Sequence, residues 1–280
     1  MTSLKTLQEE HDTIVGKLIL EWKTPQNNHK VLLLVEGPKD VEFYEPFFNE
    51  ATCGIRPGGG CSNLKNIDSA ISIDATNIKK HIIIRDSDFL RVNASISPKE
   101  HIFYADFHDH EMMCISNNEV LTRTATKCGI ACASYLFQEI TDELKVLSYL
   151  KWYNYTNHSK YKFKHLDLVN ISTSNLTDIN YLYPLVSENT SDINTSTFQK
   201  EFAYFSTSRC CANIAEITNG HDFMKRFIAR LKQERKQISE AKCQKYLHKE
   251  YGLGEFSQSN LYSSIFEWEK RHECNILNLS

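Results

Sequence analysis

The chain carries acidic side chains at places where a folded core has little use for them. Glu36 follows one apolar run, Asp86 and Asp88 follow another, and Glu111 precedes a third apolar segment. In the alternation of a strand, Asp86 and Asp88 point the same way, and two such carboxylates repel each other. A hard divalent ion such as Mg²⁺ relieves this repulsion, bound by few carboxylates plus water and substrate phosphate. The pattern predicts a Mg²⁺ site, with Mn²⁺ as a substitute; solvated turn aspartates are the alternative.

Two short apolar runs predict the strands that hold these carboxylates. Residues 31–35 (VLLLV) and 81–85 (HIIIR) have the length and the branched side chains of buried strands. Gly37 and Pro38 then form a turn signal, with the proline suited to the first turn of a helix. A carboxylate at the exit of a buried strand is badly placed for a core and well placed for a site.

A glycine-rich turn suggests that the chain also binds phosphate. Gly58, Gly59 and Gly60 precede Ser62, which we expect to cap a helix that continues to about residue 73. Bare backbone amides beside the positive end of a helix dipole are a recognised anion-binding arrangement. Gly59, Gly60 and Ser62 are therefore candidate substrate-binding residues, and a flexible strand-to-helix turn is the alternative. The P-loop pattern is excluded because no Gly-Lys-Ser/Thr follows at the required spacing.

A further predicted strand, residues 101–104, leads into an ionisable cluster over residues 106–111. Asp109 can cap a helix that begins there, with Glu111 in its first turn, and this arrangement needs no function. The two histidines of the cluster are a close pair without a second group, which is little support for zinc. We interpret Glu111 as a carboxylate that faces the same cleft as the two strand-exit carboxylates.

The composition is that of an ordinary globular protein. The 280 residues are 41% hydrophobic and 24% charged, and the net charge of −3 gives no overall attraction to nucleic acid. The nine cysteines contain no CxxC pair, and scattered reduced thiols explain them better than zinc. No stretch has the length of a membrane span and the N-terminus lacks the apolar core of a signal peptide, so we expect a cytoplasmic protein.

The rest of the chain reads as helices around one polar stretch. We expect residues 1–125 to form an α/β core with an N-terminal helix, and residues 126–280 a mainly helical region. Residues 151–164 interleave aromatics with lysines, either to stack bases or as a surface segment. Residues 170–198 are rich in Asn, Ser and Thr and are the expected seam. The basic run that begins at residue 225 is a solvated helix face or a nucleic-acid contact; its candidate binding residues are Lys225, Arg226 and Arg230.

Five motifs together resemble a family with the TOPRIM domain, which also occurs in topoisomerases, primases and OLD-type nucleases. The family is typified by AriB, the effector of the PARIS anti-phage system. The resemblance covers residues 31–115 and a second patch near the C-terminus. The motifs are Val35-Glu36-Gly37-x-x-Asp40, Gly59-Gly60-Cys61-Ser62-Asn63, Arg85-Asp86-x-Asp88-Phe89, Asp106-x-His108-Asp109-x-Glu111-Met112-Met113 and Asn219-Gly220-His221-Asp222.

The resemblance implies a TOPRIM, Rossmann-like core with a mainly parallel sheet, and a metal-dependent endonuclease. Glu36, Asp86 and Asp88 would hold Mg²⁺, which positions a phosphodiester and stabilises its developing charge. Asp40, one helical turn beyond Glu36, would be a supporting or second-metal ligand. Lys65 would assist at the scissile phosphate, and Glu111 would complete the acidic site.

The resemblance also implies partners. AriB-type effectors are held inactive by an ABC-type ATPase, are released on sensing a phage protein, and then cleave host tRNA as dimers. We carry this over as a hypothesis for the chain. The first alternative is an OLD-like DNA nuclease on the same site. The second is a binding or assembly module whose carboxylates are structural.

Overall fold

The computed structural model describes residues 14–74, 78–130, 133–187 and 195–278, which fall into two compact units. The first unit comprises Met1–Asp86, Ser97–Ala105 and Gly252–Ser280, and the second comprises Ser87–Ile96 and Asp106–Tyr251. The strands are β1 (Val31–Val35), β2 (Cys53–Pro57), β3 (His81–Arg85) and β4 (Ile102–Tyr104). The helices are α1 (residues 14–22), α2 (Pro38–Tyr44), α3 (Cys61–Asp74), α4 (His110–Ile115), α5 (Asn118–Cys128), α6 (Leu136–Asn157), α7 (Thr173–Leu176), α8 (Ile179–Ser187), α9 (Thr195–Ser208), α10 (Ile214–Ile217), α11 (Gly220–Gln233), α12 (Glu240–Glu250), α13 (Leu253–Phe256) and α14 (Asn260–Arg271).

The first unit is built on a four-stranded parallel sheet in the order β2-β1-β3-β4. Strand β1 pairs with β2 from Val31 opposite Cys53, and with β3 from Leu32 opposite His81. All five residues of β1 are buried, which explains its unbroken apolar sequence. The prediction of an α/β fold with a parallel sheet and strands at 31–35 and 81–85 is confirmed.

One face of this sheet is covered by two helices. Trp22 of α1 and Leu64 of α3 are fully buried in a cluster with Leu32 and Leu34 of β1. The sequence predicted an N-terminal helix, and residues 14–22, the first described residues, are helical. Leu18 and Trp22 of α1 therefore complete the core of the first unit.

The C-terminal segment belongs to the first unit. Phe256 of α13 stacks on Phe47 with ring centroids 4.3 Å apart, and Leu277 forms an antiparallel bridge with Phe48. The buried carboxylate of Glu269 accepts hydrogen bonds from two backbone amides of this segment, at Ile276 and Leu277. Its pKa is raised because burial disfavours the charged form more than these bonds favour it.

The second unit is helical and is arranged around α6. This helix continues beyond residue 150, and Trp152 and Tyr153 near its C-terminal end are buried. Tyr153 meets Phe198, Phe202 and Phe205 of α9 edge-on. These rings are core residues, so the interpretation of residues 151–164 as a base-stacking surface does not apply to Trp152 and Tyr153.

The observed units differ from the division predicted between residues 125 and 126. Helix α5 runs through that point, and Val120, Leu121 and Ala125 are buried along it. The expected seam also contains structure, because α7 and α8 bury Leu176 and Leu182; residues 188–194 lie outside the described residues.

The sequence predicted no membrane span and favoured reduced thiols for the cysteines. Among the described residues, no helix combines the length and the apolar composition that crossing a bilayer requires. The eight described cysteines are free thiols, and Cys132 lies outside the described residues.

Replacing Leu34 by alanine tests the central position of β1. Leu34 is 0% exposed, so Leu34→Ala should lower the free energy of unfolding by about 3 kcal/mol through lost burial and a residual cavity. Leu20→Ala is the matched control, because Leu20 is 65% exposed and should change stability by less than about 0.5 kcal/mol. Denaturant titration measures both, and equal losses would contradict the assignment of β1 to the core.

Candidate functional site

The carboxyl edge of the sheet in the first unit collects three carboxylates. Glu36 directly follows β1 and Asp86 directly follows β3, and these strands are parallel neighbours. Carboxylate oxygens of Asp40 and Asp86 lie within 4.8 Å of each other. Asp40 is held in place because it accepts the backbone N–H of Gly37 at 2.7 Å. We call Glu36, Asp40 and Asp86 the carboxyl-edge cluster.

Arg85 supplies positive charge to this cluster. It is the last residue of β3 and is 8% exposed, and its Nε lies 3.9 Å from Oε1 of Glu36. The guanidinium also donates to Sγ of Cys61 and lies over the ring of Tyr104, 5.5 Å from its centroid. Arg85 therefore offsets part of the negative charge of Glu36.

The glycine turn is built differently from the prediction. The amides of Gly58 and Gly60 donate to the carbonyls of Val35 and Glu36, both at 2.8 Å, so these two amides are used by the backbone. Helix α3 begins at Cys61, one residue before Ser62, so Ser62 is a first-turn residue and not the cap. Gly59 and Gly60 have φ of 76° and 101°, which explains why glycines occupy the turn.

Lys65 lines a cavity of about 240 Å³ in the first unit. The charged residues that share this cavity are Asp68, Arg85 and Lys99, and its apolar wall includes Leu64. Lys65 and Arg85 therefore line the same cavity. The prediction that Lys65 assists at a scissile phosphate stays a prediction.

Asp88 belongs to the second unit and does not continue strand β3. Its φ of 44° is left-handed, and its amide donates to the carbonyl of His108 at 2.8 Å. The alternation that would align Asp86 with Asp88 is therefore broken after Arg85, where the strand ends. The side chain of Asp88 is 48% exposed and lies 3.8 Å from Nδ1 of His108.

Glu111 is positioned at the start of α4 in the second unit. Asp109 caps this helix by accepting the amide of Met112 at 2.8 Å, so the structural interpretation of Asp109 is confirmed. Its other oxygen accepts the amide of Gly220 at 2.8 Å. A Cβ on Gly220 would lie 2.4 Å from Cβ of Glu111, so only glycine allows α11 to approach α4 this closely. The motif around Gly220 therefore serves the packing of α4.

Glu111 also belongs to a group that could hold a metal within the second unit. Ligand atoms of His110, Glu111 and His248 all lie within 4.8 Å of one another. Gln244 of α12 donates to Oε1 of Glu111 at 2.9 Å, and Oε2 lies 3.4 Å from Nε2 of His110. The prediction that Glu111 serves a nuclease site stays a prediction.

One of the three candidate binding residues on α11 is internal. Arg226 is 1% exposed and donates to Oε2 of Glu143 and to the carbonyls of Leu168 and Ile171. Arg230 pairs with the same glutamate. Arg226 therefore presents no surface to a phosphate, whereas Lys225 is partly exposed.

A cluster that the motifs did not single out lies at the opposite, amino edge of the sheet. His81 begins β3 and His101 precedes β4, and both point Nε2 at Oδ1 of the buried Asp68, at 2.9 and 2.7 Å. Burial alone would raise the pKa of Asp68, but hydrogen bonds from His81, Lys99 and His101 outweigh it and lower the pKa to about 2. Burial lowers the pKa of His81. A histidine at the head of each of two neighbouring parallel strands was the signal in the sequence.

Neither the models of known protein families nor the curated proteins contain a match to this chain. The carboxylates of the carboxyl-edge cluster offer oxygen ligands, which suit a hard cation such as Mg²⁺.

Substituting Gly220 tests the close approach of α11 to α4. Gly220→Ala should destabilise the second unit by about 1–3 kcal/mol, because the new methyl group overlaps Glu111 and Asp109. Gly254→Ala is the control, since a Cβ there meets nothing within 4 Å and alanine favours the helix. Thermal unfolding compares them, and a neutral Gly220→Ala would show that α4 is not held this way.

Removing the partner of Arg226 tests whether that arginine is structural. Glu143→Gln leaves a buried guanidinium without its counter-charge and should cost about 3–5 kcal/mol. Glu139→Gln, whose carboxylate is 52% exposed and 3.7 Å from Arg230, should cost less than about 1 kcal/mol. If denaturant titration finds both changes mild, Arg226 is available for another role.

Proposed function

We propose that the protein is a metal-dependent TOPRIM-type endonuclease that acts at the carboxyl edge of its parallel sheet. The observation that carries this proposal is the approach of Asp40 and Asp86, within 4.8 Å, beside Glu36 at neighbouring strand ends. In open α/β sheets, ligands bind outside the carboxyl ends of the strands. The order of the motifs along the chain supports the TOPRIM assignment.

The donor set fits Mg²⁺, with Mn²⁺ as a substitute. Glu36, Asp40 and Asp86 offer carboxylate oxygens, and one oxygen of Asp40 is already occupied by the amide of Gly37. These residues would hold the ion, and the ion would supply charge stabilisation to a phosphodiester undergoing cleavage. The predicted contributions of Asp88 and Glu111 remain part of the hypothesis.

Positive charge on the same unit suits a nucleic-acid substrate. Arg85 approaches Glu36, and Lys65 lines the cavity that Arg85 also lines. Lys65 and Arg85 would bind phosphate oxygens of the substrate and help to offset the charge of its backbone. Because the whole chain carries −3, such local cations are needed for binding.

The biological role we propose is that of a toxic effector in anti-phage defence. An ABC-type ATPase partner would hold the protein inactive, and release would let a homodimer cleave host tRNA. This part rests on the resemblance alone. A DNA nuclease of the OLD type is the second candidate, supported by the same cluster.

Incubating the purified protein with Mg²⁺ and either tRNA or plasmid DNA tests the proposal. We expect tRNA to be cut, and Asp86→Asn to slow cleavage at least about 100-fold, since losing a metal ligand removes several kcal/mol of charge stabilisation. Binding of tRNA should persist in this variant, because removing a negative charge does not weaken attraction to phosphate. Glu36→Gln is the second variant of the cluster. Its control is Glu50→Gln, at an exposed site of the first unit.

The outcomes separate the candidates. Cutting of plasmid DNA alone would replace the tRNA assignment by the OLD-like one. Cleavage that survives both Asp86→Asn and Glu36→Gln would remove the carboxyl-edge cluster from the chemistry. Binding without cleavage of either substrate would favour the module whose carboxylates are structural.

A further inference from the structure

The amino edge of the sheet holds a set of side chains that neither the proposed nuclease chemistry nor the packing of the core requires. His81, His101 and Asp68 come from β3, the residue before β4, and α3, all in the first unit. Their ligand atoms lie within 4.8 Å of one another. Because the strands are parallel, this set and the carboxyl-edge cluster lie at opposite edges of the same sheet.

The geometry points to a site for a divalent transition metal, with zinc as the best-matched ion. Two imidazole Nε2 atoms and one carboxylate oxygen are a common ligand set for zinc, with metal–ligand distances of about 2.0–2.2 Å. In a tetrahedral site, such distances place ligand atoms about 3.3 Å apart. The observed separations of 2.9 and 2.7 Å require only a small outward movement.

The surrounding residues orient the ligands as metal sites require. Lys99 donates from Nζ to Oδ2 of Asp68 at 2.7 Å, which leaves Oδ1 facing both histidines. Ligating carboxylates are usually fixed by such an outer hydrogen bond. The backbone also fixes His101, because the amide of Ile83 in β3 donates to the carbonyl of His101 at 2.9 Å. Lys99 is 53% exposed, so it can turn toward solvent and lessen its repulsion of a bound cation.

The ion has a route to the site. Asp68 and Lys99 line the cavity of about 240 Å³, and the side chains of His81 and His101 are 14% and 24% exposed. Three protein ligands leave a fourth position for water or an anion from the cavity. A hydrogen-bonded cluster without metal is the competing explanation, and it predicts no metal dependence.

Replacing His101 by glutamine separates the two explanations. Glutamine can still donate a hydrogen bond to Asp68 but is a poor zinc ligand, so His101→Gln should fold and bind zinc at least about 100-fold more weakly. His29→Gln, at an exposed position of the first unit, is the matched control. His248→Gln removes one ligand from the group of His110, Glu111 and His248 in the second unit.

The measurement uses the full chain without a histidine tag. Zinc competition against a chromophoric chelator should show one equivalent that is lost in His101→Gln and kept in His29→Gln and His248→Gln. Zinc should raise the melting temperature of the wild type and not of His101→Gln. Co²⁺ at the same site should give a visible spectrum without a thiolate charge-transfer band, because no cysteine is a ligand. Equal zinc binding by wild type and His101→Gln, or no binding by either, would overturn the proposal, whatever the outcome of the nuclease test.

Discussion

The parallel pairing of β1 with β2 and β3 determines where polar chemistry can occur in the first unit. β1 is buried along its whole length, so its five residues are apolar and the first ionisable side chain is Glu36, where the strand ends. Strand β3 obeys the same constraint, with His81 at its head and Arg85 and Asp86 at its end. Parallel strands bring like ends together. Carboxylates therefore gather at one edge of the sheet and histidines at the other.

Arg85 changes the reason for expecting a metal at the carboxyl edge. From the sequence, Asp86 and Asp88 were expected to be aligned in a strand, to repel each other and so to require a cation. Asp88 does not continue the strand, so the expected alignment with Asp86 is lost. Arg85 already lies 3.9 Å from Glu36 and offsets part of the charge of that carboxylate. The position of Asp40 and Asp86 gives stronger support for a metal, because their carboxylate oxygens lie within 4.8 Å of each other, beside Glu36 at neighbouring strand ends.

The features that the sequence predicted are the local ones. An apolar run followed by Glu-Gly-Pro identified β1 and the carboxylate at its exit, because burial and turn chemistry are encoded by adjacent residues. The features that it missed depend on distant partners. Arg226 was interpreted as a surface residue because its helix is basic. It is instead buried and donates to Glu143, which lies 83 residues earlier in the chain. Ser62 was expected to cap α3, but the turn closes one residue earlier through the bond from Gly60 to Glu36. The packing of Phe256 on Phe47 likewise has no local signal.

The two metal-binding candidates of the first unit differ in chemistry as well as in position, and this bears on how metal dependence is interpreted. Carboxylate oxygens at one edge favour Mg²⁺, whereas two imidazoles and a carboxylate at the other favour a transition metal. The amino-edge set joins α3 to β3 and to the residue before β4, so an ion there would stabilise the same sheet that positions Glu36 and Asp86. A strong chelator would then abolish cleavage by loosening the sheet as well as by removing Mg²⁺. Loss of activity on chelation is therefore evidence for the carboxyl-edge site only when Mg²⁺ alone restores it and the melting temperature has not fallen.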